Sequence, residues 1–516
     1  MDVLAQFVNV FFNDPGDKKL QLERSWPGAS ASRFGIPGWT NTSGDFQPGS
    51  LEFEAGHLAV ILGQTYDAWQ NYFGTPYDWQ PGTILTVVPR AGQPLNAFYD
   101  RQGLKFFYGP DRGKSQTVYS CESCDVAAHE CGHAVLDAHH PDYWDSLHPE
   151  TGAFHEAFGD ISALLTTLQF PSVRAQMLKE TRGNLRKSNG ISRLAEQVGH
   201  ALYSRNGVVS SGPNTLRDLV NTYHYKETWK LPARAPATKL SSESHNFSRI
   251  FSGAFYEILT GIYDKVRAAS PNLPLDDALQ LARDEAGKLL ASALLLAPPG
   301  DAIFQVIATA MFKADQQRGG KYFPLLRKVF SGRRIVRAKD AETFGPHTRT
   351  ERRKTKSIKS LNLAADEVKP DQPPPEVVNK ALHLRGEELM FARVLGERQG
   401  ARAVQYRSSR NVTLKGKKYG PADGAVVPLQ EGLVLNVDVA GIVEASHWYR
   451  SSGDDEKAVR NHVQKLAERG RIYDSQPGDQ VDTNHLITRQ QPYYIDYDQQ
   501  GNKVVRRAFI ACDCRR

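Results

Sequence analysis

Five cysteines in 516 residues are few, and the number is odd. A fold held together by disulfides is excluded on that ground, and a reducing compartment is the expected setting. Cys121 and Cys124 form one C-x-x-C pair, while Cys512 and Cys514 close the sequence. Together they could make a four-thiolate metal site or redox pairs; the plainer reading is unpaired thiols, because no spacing rule joins the two ends. No apolar run is long enough to span a bilayer, and the greasiest stretch, Leu289 to Pro298, reads as a buried helix end. Met1–Phe7 has no basic segment and an acid arrives by Asp14. No secretory signal is read there, so a cytoplasmic location is expected, with export by a signal-independent route as the alternative. A large charge excess is also missing. Lys and Arg number 64 against 57 Asp and Glu, and the net +7 names no partner by itself.

The length is too great for one ordinary core, so two or three domains are expected. Residues 1–124, rich in Gly, Pro, aromatic and β-branched residues, read as a β-rich lobe. Strands are predicted at Thr83–Val88 and at Phe106–Tyr108 before a Gly109-Pro110-Asp111 turn, with one helix over Glu52–Phe73. Residues 125–320 read as a helical lobe, opened by Asp125 as N-cap and ended by Gly319-Gly320. Its helices are predicted at Thr151–Leu168, Ser192–Ser204, Phe247–Ala268, Leu275–Leu295 and Asp301–Asp315. Residues 321–375 read as a basic linker with a stiff Pro370–Pro375 hinge. Thirteen Lys or Arg lie between Lys321 and Lys359, but no aromatic residue interleaves Arg349–Lys359, so nucleic-acid binding is not expected. Residues 376–516 read as an α+β accessory domain. Its strands are placed at Ala403–Leu414 and Val426–Val443, its helix at Asp454–Arg469, and a final hairpin at Tyr493–Tyr497 and Val504–Ile510.

The chemistry concentrates in His129-Glu130-Cys131-Gly132-His133. On a helix His129 and His133 lie one turn apart on one face, so both imidazoles can reach one ion, and Glu130 can act as a base on water beside it. A catalytic zinc takes three protein ligands and keeps one position open. Glu156, in His155-Glu156-Ala157-Phe158-Gly159-Asp160, is the obvious third, and Asp160 can hold a ligand histidine by its other nitrogen. Blander readings exist for each. A lone HExxH recurs by chance, Asp160 could be a surface acid, and His139, His140 and His148 read as solvated loop histidines.

Three blocks extend the pattern: Asp125 to Val135, Glu150 to Asp160, and His245-Asn-Phe-Ser-Arg-Ile-Phe-Ser-Gly-Ala-Phe-Tyr256. With Asn96-Ala97-Phe98-Tyr99 and Leu216-Arg217-Asp218, they resemble the thermolysin-like neutral metallopeptidases, the glutamate-zincin group, over roughly residues 96–255. The resemblance implies an α+β unit of two lobes, β-rich and then α-helical, with the site in the cleft between them. It implies a zinc-dependent endopeptidase whose Glu130 assists attack of zinc-bound water on an internal peptide bond. By the same resemblance, His129, His133 and Glu156 bind zinc and His245 stabilises the oxyanion. Arg217 would hold a substrate carbonyl, though a structural ion pair competes. Asn96 and Ala97 would take an extended or unfolded peptide as an added strand, though Asn96 could be a turn residue.

The sequence departs from that family in several places. His155 stands where the family has an asparagine beside the third ligand. The family's tyrosine before that ligand has only Tyr143 and His148 as candidate substitutes, and Glu243 could replace the carboxylate that supports the transition-state histidine. The family's calcium-site acid falls on Thr167, in an acid-free run from Leu164 to Phe170. A site demanding six or more oxygens cannot be built from that, so the calcium site is expected to be missing. Three other readings remain: a protease effector delivered by a dedicated secretion machine, a binding protein with a vestigial zinc site, and an aminopeptidase. Intact Glu130 argues against the second, and no motif for capturing a substrate amine favours the third. Side-chain preference and oligomeric state are not readable.

Overall fold

The computed structural model describes residues 7–15, 22–40, 43–111, 116–206, 215–342, 368, 369, 372, 374, 378, 389–398, 401–437 and 443–511. The arrangement is α+β, with the first lobe built on one long helix and thin sheets. β1 (Val8–Val10) pairs antiparallel with β2 (Glu23–Ser25). β3 (Phe34–Gly35), β4 (Leu85–Val88), β5 (Ala97–Tyr99) and β6 (Gly103–Phe106) form the main sheet, while β7 (Tyr108–Asp111) and β8 (Gln116–Tyr119) make a separate hairpin. Gly109-Pro110-Asp111, expected as a turn, is instead part of β7. A two-stranded ladder leaves Pro110 an open edge, where its missing N–H costs nothing. α1 (Leu51–Phe73) is capped by Ser50, which accepts from the Phe53 amide, and ends at Gly74 with φ 81°. Leu58, Ile61, Leu62 and Trp69 of α1 are fully buried.

The second lobe begins at α2 (Cys124–His139), followed by α3 (Asp142–Asp145), α4 (Pro149–Thr167), α5 (Pro171–Thr181) and α6 (Glu196–Asn206). β9 (Arg193–Leu194) pairs with β10 (Arg217–Asp218). Then come α7 (Ser244–Ala269), α8 (Leu275–Leu296), α9 (Ile303–Gln317), α10 (Phe323–Gly332) and α11 (Ala338–Ala341). The helical block therefore does not stop at Gly319-Gly320. Those glycines turn the chain with φ of 98° and 72°, and Pro324 in the first turn starts α10. Leu326, Val329 and Phe330 bury one face of it, and buried Arg333 bridges to Glu257 and Asn221. Residues 321–342 thus belong to the helical lobe rather than to a linker. The Arg349–Lys359 cluster and most of Pro370–Pro375 lie outside the described residues.

Two local expectations need correcting. His140 and His148 are buried and His139 is half-buried, stacked on Phe73 at 3.6 Å; none is a solvated loop residue. The N-cap of α2 is Ser123, whose hydroxyl accepts from the Val126 amide, and Asp125 lies two residues on, within the first turn. Asp125 instead accepts from the Thr167 hydroxyl at 3.3 Å and the Ala195 amide at 3.0 Å. Beside it, Asp14 accepts from the Ser123 hydroxyl and the Gln197 amide.

Burial first, then the nearby Asp14 and Glu196 charges, push the Asp125 carboxyl up from 3.8 to about 8, against the two hydrogen bonds. Between those values the folded protein holds a proton that the unfolded chain has released. Stability from this group is therefore full below about pH 4 and falls as pH rises towards 8. Asp125→Asn should flatten that slope, removing a loss on the order of a few kcal/mol. Urea unfolding of both proteins from pH 5 to 9 checks it, and parallel curves would contradict it.

The third unit is a sheet of β11 (Met390–Arg398), β12 (Ala401–Thr413), β13 (Val426–Val437), β14 (Val443–Tyr449), β15 (Ile472–Tyr473), β16 (Tyr493–Tyr497) and β17 (Lys503–Arg507). Their order is β11-β12-β13-β17-β16-β15, with β14 also on β13. The stretch expected as one strand over Val426–Val443 is split between β13 and β14. Helix Gly453–Glu468 starts with a Ser452–Asp455 capping box and buries Val459, Val463 and Leu466.

This unit, expected from the sequence as an α+β accessory domain, makes direct contacts with both lobes. Its last strand, β18 (Ile510–Ala511), joins the first lobe, giving the sheet order β18-β5-β6-β4-β3. Arg393 reaches Asp142 and His140, Gln430 N donates to Asp301, and Arg507 donates to the carbonyls of Trp144 and Ser146. Among the described residues no helix is long and apolar enough to cross a membrane.

Candidate active site

α2 and α4 carry the histidines and the second acid, and two glycines let them approach closely. A Cβ on Gly132 would lie 2.6 Å from Ser162 Oγ and 3.0 Å from the Gly159 backbone, and one on Gly159 would lie 2.6 Å from the His129 ring. Neither glycine was singled out from the sequence. A signal was present: glycine inside a helix costs about 1 kcal/mol relative to alanine, so its presence there points to a packing reason.

His129, Glu130 and His133 present one ligand atom each within 4.8 Å of one another, all buried. Glu156 comes in from α4, its Oε2 3.3 Å from His129 Nε2 and its Oε1 3.9 Å from His133 Nε2. From α7, His245 Nε2 lies 3.1 Å from Glu156 Oε2. On the far side of His129, Nδ1 lies 3.2 Å from Asp160 Oδ1. Arg217 clamps that carboxylate, Nε at 2.8 Å and Nη2 at 2.7 Å, and its Nη2 lies 3.3 Å from His129 Nδ1. The structure thus gathers His129, Glu130, His133, Glu156, Asp160, Arg217 and His245 into one cluster.

The donor set fits a divalent cation. Glu130, Glu156 and Asp160 are buried carboxylates beside His129 and His133, and carboxylate oxygens with imidazole nitrogens are the donors a zinc ion takes. Both oxygens of Glu130 and both ring nitrogens of His133 are buried without a hydrogen-bond partner among the described residues. Such groups are costly to bury unless something binds them. Burial leads in pushing the Glu130 carboxyl up to about 8. Burial likewise holds the His133 ring well below its usual range, neutral as a metal ligand must be. Burial opposes charge on His129 too, but hydrogen bonds to Asp160 and Glu156 prevail and take it to about 10, the mark of a place that attracts positive charge.

Asp160 holds one His129 nitrogen and so aims the other. Asp160→Asn should weaken zinc binding about 10–100-fold, checked by competition with a chromophoric chelator. An unchanged affinity would leave Asp160 with a purely structural ion pair.

Glu243 caps α7, accepting from the amides of His245 and Asn246, and its Oε1 lies 2.6 Å from His245 Nδ1. Against its burial, the His245 contact and the two amides bring its carboxyl down to about 2. The remaining candidates lie elsewhere or make other contacts. His155 is buried 5.9 Å from the His133 ring, but neither of its nitrogens makes a hydrogen bond. It therefore gives no supporting hydrogen bond to Glu156 or to the histidines of α2 among the described residues. Burial accordingly holds it well below its usual pKa range. Tyr143 stacks on His140 at 4.4 Å and packs against Phe154, its hydroxyl unpartnered, and no contact ties it to His129, His133 or Glu156 among the described residues. His148 caps α4 and faces Asp455 at 3.7 Å. Asn96 uses its carbonyl to accept from the Phe107 amide and the Ser120 hydroxyl, and Ala97 opens β5. Cys121, Cys124 and Cys131 are unpaired and buried, while Cys512 and Cys514 lie outside the described residues.

Residues 25–137 match the family described as thermolysin metallopeptidase, catalytic domain. That stretch includes His129, Glu130 and His133 and ends before Glu156. No curated protein matches the chain. Among solved structures, the precursor of protealysin, a metalloproteinase from Serratia proteamaculans, is similar at 16% identity and a TM-score of 0.35, over 64% of this chain and 88% of that one. So low a score bears on neither fold nor chemistry. Residues 25–137, with the HExxH cluster that lies within them, are thus similar to the catalytic domain of thermolysin metallopeptidases.

Proposed function

We propose that the protein is a zinc-dependent endopeptidase acting on extended or unfolded polypeptide. The observation that carries this reading is the convergence of the unsatisfied Glu130 and His133 atoms, with His129 and Glu156, on one buried point. His129, His133 and Glu156 would hold zinc, which when bound supplies a Lewis acid for the scissile carbonyl and acidifies water. Glu130 takes the proton from the attacking water and delivers it to the leaving amine. With the His245 ring protonated, Nδ1 donates to Glu243, and Nε2, which lies 3.1 Å from Glu156 Oε2, would donate to the developing oxyanion. Asp160 and Arg217 orient His129, and Arg217 is proposed in addition to hold a substrate carbonyl. The edge at Asn96–Ala97 would receive the peptide as a strand. The family's calcium site is proposed to be absent, its place taken by the Thr167–Asp125 hydrogen bond.

The test is zinc-loaded protein on unfolded casein, with the new termini mapped by mass spectrometry. Internal cuts that chelator abolishes and added zinc restores are expected. Products trimmed only from free N-termini, or none at all, would contradict an endopeptidase.

A further inference from the structure

β5 has two edges. β6 takes one, and without β18 the other would end the sheet as an open row of N–H and C=O groups. This edge is anchored to the zinc helix: Tyr99 Oη donates to Asp137 Oδ2 at 2.9 Å, and Arg101 reaches the same carboxylate. The occupant of the edge is the protein's own chain. Ile510 lies opposite Tyr99 and Ala511 opposite Phe98, antiparallel. Phe509 packs its ring on Phe98 at 5.5 Å, inside a small cluster with Phe107 and Leu486. Just before it, Arg507 O accepts from the Trp144 indole, and the Ala508 amide donates to Pro492 O. The same unit also grips the other rim: Lys465 Nζ donates to Leu231 O at 2.8 Å and to Ser242 Oγ at 3.2 Å, next to Glu243.

We propose that β18 is an intramolecular stand-in for the peptide, so that the folded chain is self-competing and substrate must displace Ile510–Ala511 from β5. The inference rests on the peptide-accepting role proposed above for that edge. The strand is short, two residues on a three-residue partner, and so few hydrogen bonds, each of small net worth in water, make exchange feasible. Its tether nevertheless gives it an effective concentration on the order of millimolar. A competitor of this kind lowers the fraction of chains open to substrate, which raises KM and leaves kcat alone.

The test compares the full chain with Ile510→Pro, which removes an amide hydrogen and fixes φ. Cleavage of an internally quenched apolar peptide and hydrogen exchange at Phe98 and Tyr99 are measured together. Faster exchange with KM at least tenfold lower and kcat within twofold is expected. Faster exchange with unchanged KM overturns the proposal. If neither protein cuts, the peptidase reading has failed separately, and fluorescence anisotropy of the same peptide decides: tighter binding to Ile510→Pro upholds the self-competition, equal binding overturns it. Should Ile510→Pro not fold, the unaltered protein decides. Saturating peptide must speed exchange at Ile510 and Ala511, and a bound peptide that leaves them protected refutes the displacement.

Discussion

Glu130→Gln should lower kcat for peptide cleavage by about 10²–10⁴-fold while bound zinc and KM stay within twofold. The amide keeps the volume of the side chain, so no cavity opens in its buried position. What it loses is the ability to accept a proton. The other carboxylates nearby cannot substitute, because Glu156 faces both ligand histidines and Asp160 is held by Arg217 and His129. Metal analysis and steady-state kinetics on the same preparation separate a base from a ligand. Loss of zinc would make Glu130 a ligand, and retention of more than a tenth of kcat would remove it from the chemistry.

The second large effect is expected at His245. His245→Ala should reduce kcat about 10²–10³-fold, the usual cost of one oxyanion donor, with little change in zinc affinity, because three other groups are placed to bind the metal. Glu243→Gln should cost less, since the ring remains and only its partner at 2.6 Å is lost. The two groups act as one unit, so the double variant should be no slower than His245→Ala alone. Additive losses would show that Glu243 works independently of the histidine. Thermal unfolding of each variant guards against a folding explanation, since Glu243 also caps α7.

The helix of His129 and His133 was legible because an i, i+4 spacing is a statement about one face of one element. The same holds for α1, α7, α8 and α9, whose boundaries fall within three residues of the periodicity reading. Legibility failed where a residue's partner is remote in sequence. Asp125 has the composition of a helix cap, yet Ser123 does the capping, and Asp125 turns to Thr167 and Ala195. His140 and His148 sit among Pro and Asp, which reads as solvated loop, but Arg393 and Asp455 from the third unit cover them. His155, beside a metal ligand in sequence, faces away from useful partners.

By itself, then, the sequence determined the candidate groups: an HExxH on a helix, an acid pair one turn apart, and a histidine led by an acid. Each is a short-range pattern, and backbone geometry alone places its members on a common face. Only the tertiary structure decided that Glu156 reaches His129 at 3.3 Å and that His245 reaches Glu156 at 3.1 Å. It alone decided that residues 321–342 close the helical lobe and that Ile510–Ala511 lie on β5. These are contacts between segments tens to hundreds of residues apart. They are set by which apolar faces pack and which sheet edge is left open, and no local periodicity encodes that choice.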